Sequence, residues 1–296
     1  MMMKTAIMTD TNSGVTIEEA RQRGLYVLPM PVIIDGNDYL EGIDVTHADL
    51  YTAMRAGKDI HSSQPAPGDF IDMWKHILEE GYDELVYIPM SAGLSGSYET
   101  ACSFADAWSG QVYVVNNRRI SVTLYESVLE ALRMAQQGMS AAAIKASLEV
   151  HAVDSSIYIT VNTLEYLKRS GRVTPAGAAI AEILSLKPVL TIQGEKLDAY
   201  AKVRGMKNSQ KRMIAATADD LVRRFGDFHP DQIRIGAAGT FENPDDAKRW
   251  TWQLAEAFPQ YHVYYQPLSC SIACHVGIDA AGLGISCITI SEEARR

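Results

Sequence analysis

Leu85-Val86-Tyr87-Ile88-Pro89-Met90 runs directly into Ser91-Ala92-Gly93-Leu94-Ser95-Gly96-Ser97. The first stretch is apolar throughout, the pattern of a strand buried on both faces. The second is a loop of small residues, and a helical pattern from Tyr98 to Trp108 follows it. Strand, glycine-serine loop and helix open a βαβ unit, and the same order recurs on either side. Upstream, Thr5 to Thr9 reads as a strand that leads into Asp10-Thr11-Asn12-Ser13-Gly14, and Thr16 and Glu19 have capping-box spacing for a helix. Phe70, Met73, Trp74, Ile77 and Leu78 repeat at helical intervals until Gly81. Downstream, Val112 to Val115 is a strand and Val122 to Gln137 a helix. Strands alternating with helices predict an α/β fold with a largely parallel sheet. Val27 to Ile34, with Pro29 and Pro31, fits only an edge strand or an irregular extended segment.

The second half has another grammar. Ile157 to Val161 is a strand, Leu164 to Arg169 a short helix closed by Gly171, and Thr174-Pro175 opens a helix through Leu184. Val189 to Val203 reads as a hairpin around Gln193-Gly194-Glu195. A long helix from Lys207 to Phe225 follows, then a strand from Ile233 to Ala238. Asn243-Pro244 opens a further helix, and strands lie near Val263 and Ile285. The expected architecture is a parallel-sheet α/β domain over residues 1–160 and a mixed α+β domain over 161–296.

Composition narrows the function. Lys and Arg total 27 against 36 Asp and Glu, a formal charge of -9, so nothing draws this chain to nucleic-acid phosphates or anionic lipid headgroups. Its 4 cysteines are too sparse for a disulfide framework. The start lacks an apolar signal core, and Glu182, Lys187 and Pro188 interrupt the most apolar stretch, from Pro175 to Ile192. A cytoplasmic protein with reduced thiols is expected. Phosphate-loop, dinucleotide and His-Glu-x-x-His motifs are absent.

Hydroxyl side chains crowd three loops beside strand ends: Asp10-Thr11, Ser62-Ser63-Gln64-Pro65 and Ser91 to Ser97. Ligands of open parallel sheets settle beyond the carboxyl ends of the strands, and such loops can hold an anion or simply cap helices. Gly93-Leu94-Ser95-Gly96-Ser97 misses the nucleophile elbow Gly-x-Ser-x-Gly by its last residue. A serine esterase using Ser95 with His275 as base is therefore the alternative reading. Cys270, Cys274 and His275 lack the spacing and second ligand cluster of a zinc site, and no metal is expected. Lys168 and Arg169 suit a helix C-terminus, whereas Arg172, past Gly171, has no such role and is a candidate partner contact.

Seven motifs in order carry a resemblance over nearly the whole chain. They are Met8-Thr9-Asp10-Thr11, Ser62-Ser63-Gln64-Pro65, Ser91 to Tyr98, Leu164 to Val173, Leu186 to Leu190, Lys202-Val203-Arg204 and His275-Val276-Gly277. In these the chain resembles the DegV family of bacterial fatty-acid-binding proteins. The resemblance implies a long-chain fatty acid bound between the two domains, its carboxylate presented to a separate fatty-acid kinase for acyl-phosphate formation. It implies a carrier with no catalytic residues and no cofactor beyond the lipid. Carboxylate contacts fall on Ser62 and Ser95, with Ser63, Arg204 and His275 as further head-group candidates. Ile180, Ile183 and Leu184 are expected to line part of the enclosure. A lipid-responsive regulatory protein without kinase delivery is a further alternative. The second glycine of the family's His-x-Gly-x-Gly is replaced here by Asp279.

Overall fold

The computed structural model of this chain describes residues 3–180, 187–193 and 196–289, with backbone only for 178–180. In chain order it begins with β1 (Thr5–Asp10), α1 (Ile17–Arg23), β2 (Tyr26–Leu28), β3 (Pro31–Ile34), β4 (Asn37–Leu40), α2 (His47–Arg55), β5 (Ile60–Ser62) and α3 (Pro67–Glu79). Then come β6 (Glu84–Ile88), α4 (Ser97–Ala105), β7 (Val112–Val114), α5 (Val122–Gln136) and α6 (Ala141–Val150). The second half holds β8 (Ser155–Thr160), α7 (Glu165–Ser170), α8 (Pro175–Ile180), β9 (Val189–Ile192), β10 (Asp198–Ala201) and α9 (Met206–Arg223). It closes with β11 (Ile233–Gly239), α10 (Pro244–Ala257), β12 (His262–Pro267), α11 (Cys270–Val276) and β13 (Ala281–Cys287).

The expected parallel sheet forms in the order β2-β1-β6-β7, with Ile7 opposite Val86. Every residue of β6 is buried, which is why its sequence shows no alternation. The helix α3 presses Phe70, Trp74 and Ile77 into this half of the core, where Phe70 meets the Tyr87 ring of β6 edge-on. Each such side chain contributes about 1.5–3 kcal/mol by leaving water. At α1 the capping is one-sided: the Thr16 hydroxyl accepts from the Glu19 N–H, but the Glu19 carboxylate turns to Arg23 and Tyr125.

The segment from Val27 to Ile34 is not one edge strand. It supplies β2 at the rim of the parallel sheet and β3 at the centre of a separate antiparallel sheet, β4-β3-β5. Pro31 fits because it is the first residue of its strand, where a missing N–H costs least. This small sheet, with α2, packs on α11, so Val32, Leu50 and Ile60 share a cluster with Cys270, Ala273 and Cys274.

The second half forms a mixed sheet, β10-β9-β8-β13-β11-β12, antiparallel except for β11 with β12. The β9–β10 hairpin is as expected; its tip, Gly194-Glu195, and the helix beyond residue 180 lie outside the described residues. The strand β8 ends at Thr160, and both its partners, β9 and β13, come after it. Helix α6 buries Ala141, Ile144 and Leu148 at helical spacing, and α11 has 7 residues, too few to show a period.

Between the two large sheets lies α5, against β1 on one side and β8, β11 and β13 on the other. Its first turn approaches the second sheet at a pair of cross-strand glycines, Gly236 and Gly284. A Cβ on Gly236 would come within 2.4 Å of the Val122 side chain. A side chain there would push the two halves apart.

Candidate functional site

The carboxyl ends of β1 and β6, the end of β5 and the last turn of α11 converge on a cavity of about 850 Å³, mouth included. Met30, Met90 and Leu94 wall it from the first half, and Ile157, Ile159 and Leu283 from the second. It therefore lies between the two halves, as a mostly apolar enclosure with a few convergent polar groups.

One group of those polar residues comprises Ser62, Ser63, Gln64, Ser95, Arg172 and His275. Ser62 ends β5, and its Oγ lies 2.7 Å from His275 Nε2. His275 is thus on a helix, in the last turn of α11. Burial, reinforced by Arg172 and His61 nearby, pushes its imidazole down to about 4, so it is neutral at pH 7. Ser95 sits just before α4, where its Oγ accepts from the Ser97 N–H (3.2 Å) and pairs with Ser97 Oγ (2.9 Å). Gly96, between them, has Gln64 Oε1 where a side chain would go.

Arg172 joins this group from across the cleft. Its Nη1 donates to Ser170 O (2.6 Å) and its Nε to Leu94 O (3.4 Å), tying the loop after α7 to the loop before α4. Arg204 does not join: it is exposed, stands ahead of α9, and is not among the residues that wall the cavity. The side chains of Ile180, Ile183 and Leu184 lie outside the described residues.

The pairing an esterase would need, Ser95 with His275, is not made. His275 is bonded to Ser62, and burial together with the Arg172 guanidinium disfavours the imidazolium that a general base must become. Cys270 and Cys274 are buried thiols whose pKa burial raises, Cys274 to about 12.

The Asp10-Thr11 loop serves as scaffold. Asp10 accepts from the Asn12 N–H (2.9 Å) and the Met90 N–H (3.0 Å), fastening the ends of β1 and β6 together, while burial raises its carboxyl to about 6. Thr11 donates to Glu41 (2.9 Å). Glu41 escaped the sequence reading altogether. Nine-tenths buried, it accepts from the Cys270 and Ser271 N–H groups at the start of α11, the helix that carries His275. A lone glutamate in a turn shows nothing in sequence that foretells this; only the packing of the small sheet on α11 makes it a cap. Asp279 is also explained: it sits at φ 60, a left-handed position that asparagine and aspartate tolerate better than most residues.

With this geometry established, likenesses to known proteins are informative. Residues 4–287 match the family described as "Uncharacterised protein, DegV family". A DegV domain-containing protein of Deinococcus radiodurans is 30% identical, over 96% of this chain and 98% of its own. Among solved structures, a DegV family protein from Thermus thermophilus, described by its fatty-acid binding, superposes with a TM-score of 0.86 at 28% identity, covering 96% of this chain and 100% of that one. The fatty-acid-binding DegV family protein from Streptococcus agalactiae superposes with a TM-score of 0.84 at 26% identity, covering 96% and 98%. Sequence, fold and the two halves meeting over an apolar cavity agree, and this chain belongs to the DegV family.

Proposed function

We propose that this protein binds a long-chain fatty acid in the cavity between its halves and presents the carboxylate at the Ser62–Ser95 end to a separate fatty-acid kinase. The observation that carries the reading is the cavity's polarity: apolar side chains from both halves enclose it, and hydroxyls, Arg172 and His275 gather in its wall. A tail of about 14 methylenes at roughly 0.8 kcal/mol each carries on the order of 11 kcal/mol of hydrophobic driving force. Only near-complete enclosure competes with a bilayer for such a molecule. Among the described residues no helix is long and apolar enough to cross a membrane.

Hydroxyl donors suit a carboxylate that must still react, because they bind it directionally without the fork of an arginine clamp covering both oxygens. Support for delivery to a kinase comes from a second, polar pocket of about 320 Å³. It shares Ser62, Arg172 and His275 with the cavity and adds His61 and Arg169, so that two guanidinium groups line an approach fit for a phosphoryl donor. Native mass spectrometry of protein purified from cells tests the binding: the expected result is the added mass of one long-chain acid, released on unfolding. Protein that carries none, and takes none up when supplied, would overturn it. Acyl phosphate formed by a fatty-acid kinase only when the loaded protein is present tests the delivery.

His275 supplies a pH-dependent check. A bound carboxylate favours the imidazolium, so the histidine's pKa is expected to rise above its ligand-free value of about 4. By linkage the ligand then binds tighter as pH falls through the bound-state value, as long as its carboxylate stays ionised, and the gain is lost as pH rises through that value. NMR titration of the His275 ring with and without lipid reads this directly, and an unchanged or lowered pKa in the complex removes His275 from the head-group site.

A further inference from the structure

The cavity wall has a second polar place that the carboxylate does not account for. Ser121, directly before α5, is 7% exposed and stands between Ile120 and Val122, all three lining the cavity. Serine at such a position normally caps the helix through its hydroxyl. Here no side chain caps α5, and among the described residues the Ser121 hydroxyl has no hydrogen-bond partner. Its N–H donates to Asn12 O (2.8 Å), and its carbonyl accepts the first helical bond, from Tyr125. The amino end of a 15-residue helix and an unpaired hydroxyl thus meet at the wall of the same enclosed space. Beside them Asn12 and Ser271 also line the wall, already bonded to each other (2.5 Å). An alkyl chain passing this place leaves the hydroxyl and the first N–H groups of α5 unmatched; an oxygen on the chain would match them.

We propose that the cavity is built for a fatty acid bearing a second oxygen along its chain, a hydroxy or oxo acid, held there by the Ser121 hydroxyl and the uncapped amino end of α5. This rests on the fatty-acid reading above and refines its ligand class. Ser121 also has φ 55 and ψ -137, a backbone region that glycine adopts far more readily than serine, so Ser121→Gly removes the hydroxyl while easing the backbone.

The test is calorimetry of the full-length, delipidated protein with octadecanoic acid and its hydroxy and oxo positional isomers. Wild type is expected to show one preferred position, or two adjacent ones, where the oxygenated acid binds roughly three- to tenfold tighter than its other isomers, the worth of one net hydrogen bond. In Ser121→Gly that preference disappears, and the positional isomers then bind alike to within about twofold. The oxo series asks for a donor only, whereas the hydroxy series can also donate to Ser121 Oγ; a preferred position in either series supports the proposal. A flat positional profile beside tight binding of the unsubstituted acid overturns the proposal and leaves the fatty-acid reading standing. A preference that survives in Ser121→Gly overturns it too. So does loss of affinity for the unsubstituted acid in that variant, which would put Ser121 at the carboxylate. If wild type binds no acid at all, both readings fall together.

Discussion

Replacing Ser62 or Ser95 by alanine is expected to weaken long-chain fatty-acid binding by roughly 10- to 150-fold each, the equivalent of about 1.5–3 kcal/mol for a hydrogen bond to a charged group. The two are not equivalent. Ser62 Oγ is shared with His275 Nε2, so its removal also frees the imidazole to meet the carboxylate itself. Ser95 lies in the loop before α4, and its hydroxyl already receives the Ser97 N–H, which pre-orients it before any ligand arrives. The smaller loss is therefore expected at Ser62. Both side chains are partly exposed to the cavity, so neither change should unfold the protein. Calorimetric affinities within about twofold of wild type for both variants would dismiss this carboxylate site.

The largest effect on stability is expected at Glu41. Its carboxylate satisfies the Thr11 hydroxyl and the two backbone N–H groups that open α11, all of them buried. Glu41→Ala strands those three donors without water, at about 1–3 kcal/mol each, for a combined loss on the order of 3–9 kcal/mol. Glu41→Gln keeps the shape and one acceptor oxygen and should lose about half as much. Because α11 carries His275, fatty-acid affinity should fall with stability in the alanine variant. Urea unfolding decides the matter: a Glu41→Ala midpoint indistinguishable from wild type would mean the start of α11 finds other acceptors.

Much of this protein was legible from its residues. The strands β1 and β6 stood out because burial on both faces leaves an unbroken apolar run, and α3 because one buried face leaves a helical period. Loops that end such strands could be singled out because small hydroxyl residues crowd three of them. Where two elements share a short stretch, the reading failed. Tyr26 to Ile34 divides between two sheets, and which residues pair with which is a long-range matter. The 7-residue helix α11 is too short to show a period and is held by Glu41, 229 residues away.

The sequence alone determined the α/β class, the family and the hydroxyl loops, since these depend on local periodicity and on residue types in a fixed order. It also named Ser62, Ser95, Arg172 and His275 one by one. Only the tertiary structure decided that these four share a wall while Arg204 stands apart, and that His275 answers to Ser62 rather than Ser95. Only it placed α5 between the sheets, with Gly236 and Gly284 making room for Val122 and with the Ser121 hydroxyl left over at the cavity. The physical reason is the same in each case. Hydrogen-bond partners and close contacts form between segments that sequence distance does not order, so they exist only once the two sheets have closed on the helix between them.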